Sequence, residues 1–211
     1  MERSAIILAG GFSKRLGQDK GLVKLAGKPL ILYVLEKVRE VVDETIVVVS
    51  SENQKEAYSM HVPKEKKIFV DNENLRSPLI GALTGFSNTC ADYSLLLPCD
   101  TPFVSSKVAD LLFEASINVD AAVPRWPNNY IEPLQAVYRT NSALKSAKQA
   151  LEKRDLRLFS MIKLQKRVRY LSTIVIQQID PQLMTFFNIN TKMDLMKARK
   201  IINKETAGNF I

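Results

Sequence analysis

The stretch SAIILAGGFSKRLGQDK, residues 4–20, joins a short apolar segment to a loop that holds three glycines and three cations. Residues 4–8 are mostly apolar and predict a buried strand. Glycine loses more conformational freedom on folding than other residues, so the closely spaced glycines indicate that something approaches the backbone closely. Backbone N–H groups of a glycine turn, together with the start of a following helix, form a concave site for anions. The stretch therefore predicts a strand followed by a polyanion-binding loop.

The rest of the chain alternates apolar runs with segments of helical periodicity. Strands are predicted at residues 4–8, 44–49, 67–70, 93–97 and 121–123. Pro29, Pro78 and Ser105 each precede a segment with apolar residues three and four apart, which predicts a helix. This alternation predicts an α/β fold with a Rossmann-like, doubly wound, mostly parallel sheet. At 211 residues and 46% hydrophobic composition, a single domain over residues 1–211 is expected.

Ligands of doubly wound folds bind outside the carboxyl ends of the strands, so the residues after each predicted strand are candidates for a site. These residues are the glycine loop, the segment 50–53 with Asn53, Asp71 and Asp100. Each aspartate alone is typical of a turn. Because a carboxylate beside bound phosphates requires a cation between them, the pair predicts Mg²⁺ held by one or two carboxylates together with substrate phosphates.

Several function classes are disfavoured. Cys90 and Cys99 lack the spacing of a zinc site, and His61, the single histidine, lies in a polar segment that predicts a loop without a catalytic role. No apolar run approaches the roughly 18 residues of a membrane span, and no cleavable signal pattern precedes the first strand. The sequence therefore predicts a cytoplasmic protein that does not bind a membrane.

The charge is unevenly distributed along the chain. The formal net charge is +8; residues 1–147 hold 17 cationic and 17 anionic side chains, and residues 148–211 hold 13 and 5. Aromatic residues are not interleaved with the basic cluster at residues 163–169, so nucleic acid binding is not predicted. A solvated face is the usual role of such a cluster, and an anionic acceptor or an acidic protein partner would suit it.

The glycine loop matches neither G-x-G-x-x-G nor the P-loop pattern, but it resembles a different signature. Residues 8–20 are similar to L-A-G-G-x-S-x-R-M-G-x-D-K of nucleotidyltransferases, in particular the molybdenum cofactor guanylyltransferases. The resemblance continues in order to about residue 198, through residues 77–83, 96–103, 132–138 and 187–191. Leu16 replaces methionine, Ser77 replaces glycine, and Lys192-Met193 stands where Pro-Glu is common. Thr191 and Asp194 still predict a capping box at the start of the last helix.

The resemblance implies the nucleotide-diphospho-sugar transferase type of sheet and the transfer of GMP from GTP to the phosphate of molybdopterin, with Mg²⁺. The products would be the guanine dinucleotide cofactor and pyrophosphate. A phosphate nucleophile needs no general base, and catalysis reduces to alignment and charge neutralisation. Residues 1–105 would bind the nucleotide and residues 106–200 the acceptor. The implied catalytic residues are Arg15, Lys20 and Asp100, with Asp100 as the metal ligand. The implied nucleotide-binding residues are Leu8, Ala9, Gly10, Gly11, Ser13, Arg15, Lys20, Asn53, Asp71 and Asp100.

The acceptor side is predicted from fewer signals. Asn188 and Asn190 are polar residues in a segment interpreted as an otherwise apolar strand, and they are candidate acceptor contacts. Arg125 follows a predicted strand and is a third candidate. Two interpretations of Trp126 stay open, stacking on the pterin or packing against the next segment.

Two alternatives to guanylyl transfer remain at this point. The loop recognises a triphosphate without selecting the base, so CTP or another NTP could react with molybdopterin, a sugar phosphate or a lactyl phosphate. A noncatalytic nucleotide-binding or RNA-binding protein on the same fold is the second alternative, because a fold does not fix a function. The joint presence of Arg15, Lys20 and Asp100 favours catalysis.

Overall fold

The computed structural model describes residues 1–13, 17–71 and 75–208, with the backbone alone for residues 12, 13 and 205–208. The strands in these ranges are β1 (Arg3–Leu8), β2 (Phe12–Ser13), β3 (Gln18–Asp19), β4 (Lys24–Leu25), β5 (Lys28–Pro29), β6 (Glu44–Val49), β7 (Lys67–Val70), β8 (Tyr93–Pro98), β9 (Ala121–Arg125), β10 (Ala136–Arg139) and β11 (Val168–Ser172). The helices are α1 (Leu30–Val38), α2 (Glu52–Ser59), α3 (Pro78–Ser87), α4 (Ser106–Ser116), α5 (Thr140–Glu152), α6 (Leu158–Lys163), α7 (Thr173–Ile176) and α8 (Lys192–Gly208). Short 3₁₀ helices form at Lys20–Leu22 and Met184–Phe186.

A seven-stranded sheet in the order β11-β9-β10-β8-β1-β6-β7 forms the centre of the fold. Its strands run parallel except for β10, which is antiparallel to both β8 and β9. The glycine loop leaves β1, which pairs with β6 on one side and β8 on the other. The predicted doubly wound, mostly parallel α/β fold is therefore confirmed, and its loops after β1, β6, β7 and β8 meet at one edge.

Helices cover both faces of the sheet because successive strand residues point to opposite sides. Ala5 and Ile7 of β1 belong to an apolar cluster with residues of α1 and α4. Ile6, between them, belongs to a second cluster with residues of α3 and α5. Both clusters combine residues from before and after position 105, so the chain forms a single domain. No helix of the described residues has the length and apolar character needed to cross a membrane.

Serine side chains cap the start of three helices. The side chains of Ser51, Ser77 and Ser105 accept the backbone N–H of Gln54, Ile80 and Val108 respectively. Such caps satisfy N–H groups that the first helical turn leaves without partners. The carboxyl-edge loops are thereby held to the helices that follow them.

Three sequence-based expectations are wrong. Among the described residues, no α-helix starts directly after the glycine loop, because residues 12–13 pair with residues 18–19 and Lys20–Leu22 forms a 3₁₀ helix. The segment 187–190 lies outside every strand, and its Ile189 N–H donates to the Asp100 carbonyl instead of to a sheet neighbour. Of residues 132–138, only the last three enter a strand, since Gln135 N–H closes a turn on the Glu132 carbonyl.

Candidate functional site

The glycine loop forms a hairpin that brings Lys20 back to the end of β1. Phe12 pairs with Asp19, and the Lys20 N–H donates to the Gly11 carbonyl at 3.1 Å. Gly17 lies in the turn with a φ of +70°, the left-handed region that glycine adopts without steric cost. A Cβ on Gly11 would lie 3.5 Å from Lys20 Cδ, so the lysine side chain passes beside Gly11.

Gly10 is required by a neighbouring segment of the chain. A Cβ at Gly10 would lie 1.9 Å from Ser50 Oγ, 3.0 Å from Ser50 Cβ and 3.1 Å from the Ser50 backbone nitrogen, so Ser50 would have to shift to accommodate it. Ser50 is fixed in turn, since its N–H donates to Gln54 Oε1, and Gln54 Nε2 donates to Asp19 Oδ1, both at 2.8 Å. The bare backbone predicted to admit a polyanion therefore also admits Ser50, and this contact ties the loop to the end of β6.

A cavity of about 280 Å³ opens at the carboxyl edge, between the glycine loop and the start of α3. We call it the loop cavity. Its apolar walls include Leu8, Val48, Pro78 and Leu134, and its polar groups come from Lys20, Ser50, Asp71, Arg76, Ser77 and Asp100. Ser50 Oγ donates to Asp71 Oδ2 at 3.4 Å. Asp71 reaches the cavity although β7 is separated from β1 by β6.

Lys20 lies at the meeting point of two cavities. Its Nζ donates to Asp100 Oδ2 at 2.8 Å and to Asn190 Oδ1 at 2.5 Å. The Asp100 side chain is only 6% exposed and that of Lys20 is 28% exposed, so the lysine compensates a nearly buried carboxylate. Lys20 and Asn190, which are 170 positions apart in the chain, are thereby in direct contact.

The second cavity, of about 380 Å³, extends from Lys20 and Asp100 toward α6. We call it the α6 cavity. It shares Lys20, Pro78, Pro98, Asp100 and Leu134 with the loop cavity. Its further lining consists of Tyr130, Glu132, Pro133, Gln135, Leu158, Phe159, Asn188 and Asn190. The two cavities therefore form adjoining compartments with a lysine and an aspartate between them.

A tight loop at residues 126–130 borders the α6 cavity. The Trp126 N–H donates to the Tyr130 carbonyl at 2.8 Å, which closes the loop at its base. Trp126 packs edge to face on Phe186, with ring centroids 5.6 Å apart, and its Nε1 donates to Glu132 Oε1 at 2.7 Å. Trp126 lies outside the lining of both cavities. The packing interpretation of Trp126 therefore agrees with the structure.

Six predicted site residues line the loop cavity, namely Leu8, Gly10, Gly11, Lys20, Asp71 and Asp100. Asn188 and Asn190 line the α6 cavity. Ala9 is fully buried, and its carbonyl accepts the Tyr58 hydroxyl at 3.1 Å. Arg15 lies outside the described residues, and Ser13 is described by its backbone alone.

The structure does not bring Asn53 or Arg125 to either cavity. Asn53 is exposed in the first turn of α2. It is the second residue of the helix, after Glu52, and Ser51 caps the helix. Arg125 is exposed at the end of β9, with its guanidinium 5.1 Å from the ring centroid of Tyr170. Being near a strand end in sequence was therefore not sufficient to place a side chain in the site.

Sequence reasoning missed several lining residues. Ser50 directly follows β6 and lines the loop cavity, whereas Asn53, the residue predicted from the same segment, does not. Arg76 is an exposed cation in a loop, and no periodicity singles it out. Glu132 and Gln135 lie in a segment of the family resemblance that implies no role for either residue. Gln135 is buried and donates from Nε2 to the Thr185 carbonyl at 2.8 Å. In the sequence it cannot be distinguished from an ordinary polar turn residue.

The titratable groups beneath the loop are neutral at ordinary pH. Burial raises the pKa of the Cys99 thiol and of the Tyr58 phenol, so neither supplies a nucleophile. A Cβ at Gly21 would lie 2.6 Å from Tyr58 Oη, which shows how closely this layer packs under the Lys20 turn. Among the described residues, the charged side chains of the loop cavity are therefore those of Lys20, Asp71, Arg76 and Asp100.

The residues of the site are suited to a metal ion that is bound partly by the protein and partly by substrate phosphates. Among the described residues, no group of three or more His, Cys, Asp and Glu side chains could hold a metal. Asp100 nevertheless offers a carboxylate that lines both cavities. Because Mg²⁺ is commonly bound by one or two carboxylates together with substrate phosphates, Asp100 is a suitable protein ligand.

A glycine loop beside a partly buried Lys–Asp pair, facing two adjoining compartments, is suited to joining a nucleotide to a second substrate, and the chain is a nucleotidyltransferase. Residues 5–168 match the family model described as the MobA-like NTP transferase domain, and the chain belongs to that family.

Curated relatives cover most of the chain. It is 37% identical over 199 residues to a probable molybdenum cofactor guanylyltransferase of Methanosarcina acetivorans, spanning 92% of this chain and 88% of the relative. It is 34% identical over 207 residues to a protein of the same description from Natranaerobius thermophilus, spanning 95% and 97%.

Solved structures show the same architecture. Molybdopterin-guanine dinucleotide biosynthesis protein A of Archaeoglobus fulgidus superposes with a TM-score of 0.81 at 28% identity, over 95% of this chain and 99% of that one. A 2-C-methyl-D-erythritol 4-phosphate cytidylyltransferase of Thermus thermophilus superposes with a TM-score of 0.69 at 17% identity, over 96% and 100%. The latter likeness shows the fold alone.

Proposed function

We propose that the chain transfers GMP from GTP to the phosphate of molybdopterin, with Mg²⁺, and releases pyrophosphate. The observation that carries this proposal is the meeting of two cavities at Lys20 and Asp100. A transferase must hold donor and acceptor side by side with the reacting phosphates between them. The names of the M. acetivorans and A. fulgidus proteins support guanine and molybdopterin as the two substrates.

The nucleotide is assigned to the loop cavity, formed mainly by residues before position 105. Gly10 and Gly11 leave the backbone accessible to the triphosphate, and Lys20 supplies a cation beside it. Arg76, at the cavity wall, adds a second cation that the triphosphate would attract. Arg15 is assigned to the β and γ phosphates from the family signature.

The base is assigned to the end of the loop cavity near Ser50 and Asp71. Guanine presents adjacent N–H donors on one edge, and the Asp71 carboxylate is a suitable acceptor for them. The Ser50 hydroxyl, which donates to Asp71 Oδ2, would hold that carboxylate in place. Cytosine offers a different edge to the same acceptor, so this end of the cavity favours guanine.

The acceptor is assigned to the α6 cavity, with its phosphate directed to Lys20. Asn190 already contacts Lys20, and Asn188 lines the same wall. Lys20 would align the attacking phosphate and offset the charge that develops as pyrophosphate departs. When bound, Mg²⁺ would neutralise phosphate charge and polarise the reacting phosphoryl oxygen, and Asp100 would hold it there.

The test is pyrophosphate release by the purified chain with Mg²⁺, molybdopterin and each of the four NTPs. We expect GTP to exceed CTP at least about tenfold, which corresponds to roughly 1.4 kcal/mol, a difference that one or two base-edge hydrogen bonds supply. Equal release from both would remove the guanine assignment. Pyrophosphate release with a sugar phosphate but not with molybdopterin would mean that the acceptor is a sugar phosphate.

A further inference from the structure

We infer that Glu132 recognises the heterocycle of the acceptor, by accepting hydrogen bonds from the 2-amino-4-oxo pyrimidine edge of a pterin. This inference rests on the proposed function, since it concerns the acceptor compartment of the same site. Glu132 lies outside the glycine loop and the Lys20–Asp100 pair, and the family resemblance implies no role for it.

Glu132 lines the α6 cavity and is held there from one side. Its Oε1 accepts Trp126 Nε1–H at 2.7 Å, and its backbone N–H donates to the Pro124 carbonyl at 3.0 Å. Within the described residues, no further hydrogen bond reaches the carboxylate. The second oxygen is therefore available to a ligand, and the indole fixes the orientation in which the carboxylate is presented.

The electrostatic setting favours a donor ligand. Burial raises the pKa of the Glu132 carboxyl above its usual range, and the hydrogen bond from Trp126 offsets this only in part. No described Lys or Arg forms a salt bridge with Glu132. A half-buried carboxylate without a cation gains most from a ligand that places N–H donors against it.

The remaining walls suit a flat ring. Tyr130 and Phe159 both line the α6 cavity although they are 60% and 44% exposed. Lys163 Nζ lies 4.6 Å from the Phe159 ring centroid, which holds that ring from one side. Large aromatic side chains left exposed around a cavity are typical of a ligand site.

Pterin chemistry matches this combination. The 2-amino-4-oxo pyrimidine ring of a pterin is planar and carries a ring N–H next to an amino group. One carboxylate can accept from both donors, whereas a lumazine has a carbonyl oxygen in place of the amino group. Glu132 would therefore select pterin over lumazine, because the lumazine oxygen would face the carboxylate.

The experiment measures binding of 6-hydroxymethylpterin and 6-hydroxymethyllumazine by fluorescence titration, using wild type, Glu132→Gln and Glu56→Gln. Glutamine keeps an oxygen for Trp126 Nε1 but removes the charge, and Glu56 is an exposed glutamate on α2. We expect wild type and the Glu56 variant to prefer the pterin about tenfold, equivalent to roughly 1.4 kcal/mol. The Glu132 variant should lose this preference and keep its affinity for GTP within about twofold.

Three outcomes would overturn the inference. They are an unchanged pterin preference in Glu132→Gln, no preference in wild type, or a loss of GTP affinity in Glu132→Gln, which would place guanine at this carboxylate. Pyrophosphate release from GTP and molybdopterin by wild type, run in parallel, tests the proposed function separately. A wild-type chain without transfer activity but with a Glu132-dependent pterin preference would contradict the function and support the recognition site.

Discussion

At the scale of single residues, the contact of Lys20 with both Asp100 and Asn190 determines what the site can do. The ammonium sits between a nearly buried carboxylate and an amide oxygen from a distant segment. Under the proposed function, an incoming triphosphate would compete with both for the same cation. The charge proposed to bind substrate is therefore also the charge that stabilises the substrate-free site.

Lys20→Met should weaken both GTP binding and the fold. Loss of the ammonium removes attraction to phosphate, so we expect at least about a tenfold loss of GTP affinity, or about 1.4 kcal/mol. It also leaves the Asp100 carboxylate without its partner, which we expect to lower the free energy of unfolding by about 1–3 kcal/mol. Calorimetric titration and urea unfolding measure the two effects. Lys24→Met, at an exposed lysine of β4, is the matched control, and unchanged GTP affinity in Lys20→Met would mean that Lys20 does not contact the nucleotide.

Asp100→Asn should remove activity while the fold persists. The amide keeps the shape of the side chain, and the Asp100 carbonyl, which accepts Ile189 N–H, is unaffected. Loss of the negative charge should cut turnover about a thousandfold, or about 4 kcal/mol of transition-state stabilisation. GTP binding without Mg²⁺ should hold or strengthen, because a carboxylate beside three phosphates repels them. Turnover near the wild-type value at saturating Mg²⁺ would contradict the assignment of Asp100 to the metal.

At the scale of elements, sequence patterns predicted what depends on local periodicity. The strands at residues 44–49 and 67–70 and the helix starts after Pro29, Pro78 and Ser105 agree with the structure. Contacts between distant segments were less predictable. Gly10 needs its bare Cα because of Ser50, and Trp126 orients Glu132 from outside the cavity. Neither relation has a period or a spacing, since each depends on how two loops pack after the sheet has formed.

The capping box of α8 is an element that positions a site residue. Thr191 Oγ1 accepts Asp194 N–H at 3.1 Å, and Asp194 Oδ2 accepts Thr191 N–H at 2.9 Å, which confirms the predicted pair. Asp194 Oδ2 also accepts Asn190 N–H at 3.2 Å, directly before the cap. The start of α8 therefore fixes the asparagine that contacts Lys20.

Asp194→Asn should lower stability in a pH-dependent way. The hydrogen bond from the Thr191 hydroxyl holds the pKa of Asp194 below its usual range, aided by the two backbone N–H groups. Because the pKa is depressed in the folded state, the stabilisation is complete above about pH 4 and disappears as the pH falls through the folded pKa. We expect the variant to lose about 0.5–1 kcal/mol of unfolding free energy at pH 7 and progressively less below pH 4. Urea unfolding at pH 7, 5 and 3 measures this, with Glu56→Gln as the control; a loss that stays constant with pH would exclude the charge as its cause.

At the scale of the whole molecule, part of the basic segment of residues 148–211 is held in place mainly through its backbone. The N–H groups of Lys166 and Arg167 donate to Asp120 Oδ2, and Arg169 donates from its guanidinium to the Ala115 carbonyl. These contacts fasten the entry to β11 onto the end of α4 and the start of β9. The predicted acidic protein partner stays a prediction, since these contacts account for the placement of the segment and not for its charge.

The chain should unfold in one cooperative transition, although the proposed function assigns its substrates to two compartments. A single apolar cluster joins Val47 and Leu97 from the nucleotide part to Leu112, Val137 and Ile176 from the acceptor part. Opening either part would expose the core of the other, so the two cannot melt separately. GTP with Mg²⁺ at about 100 times its dissociation constant adds about 2.7 kcal/mol and should raise Tm of the whole transition by roughly 5–10 °C. Differential scanning calorimetry tests this, with CTP at the same concentration as the control, for which a smaller shift is expected. Two resolved transitions, or a shift by GTP of only part of the unfolding enthalpy, would show that residues 1–105 and 106–200 are separate folding units.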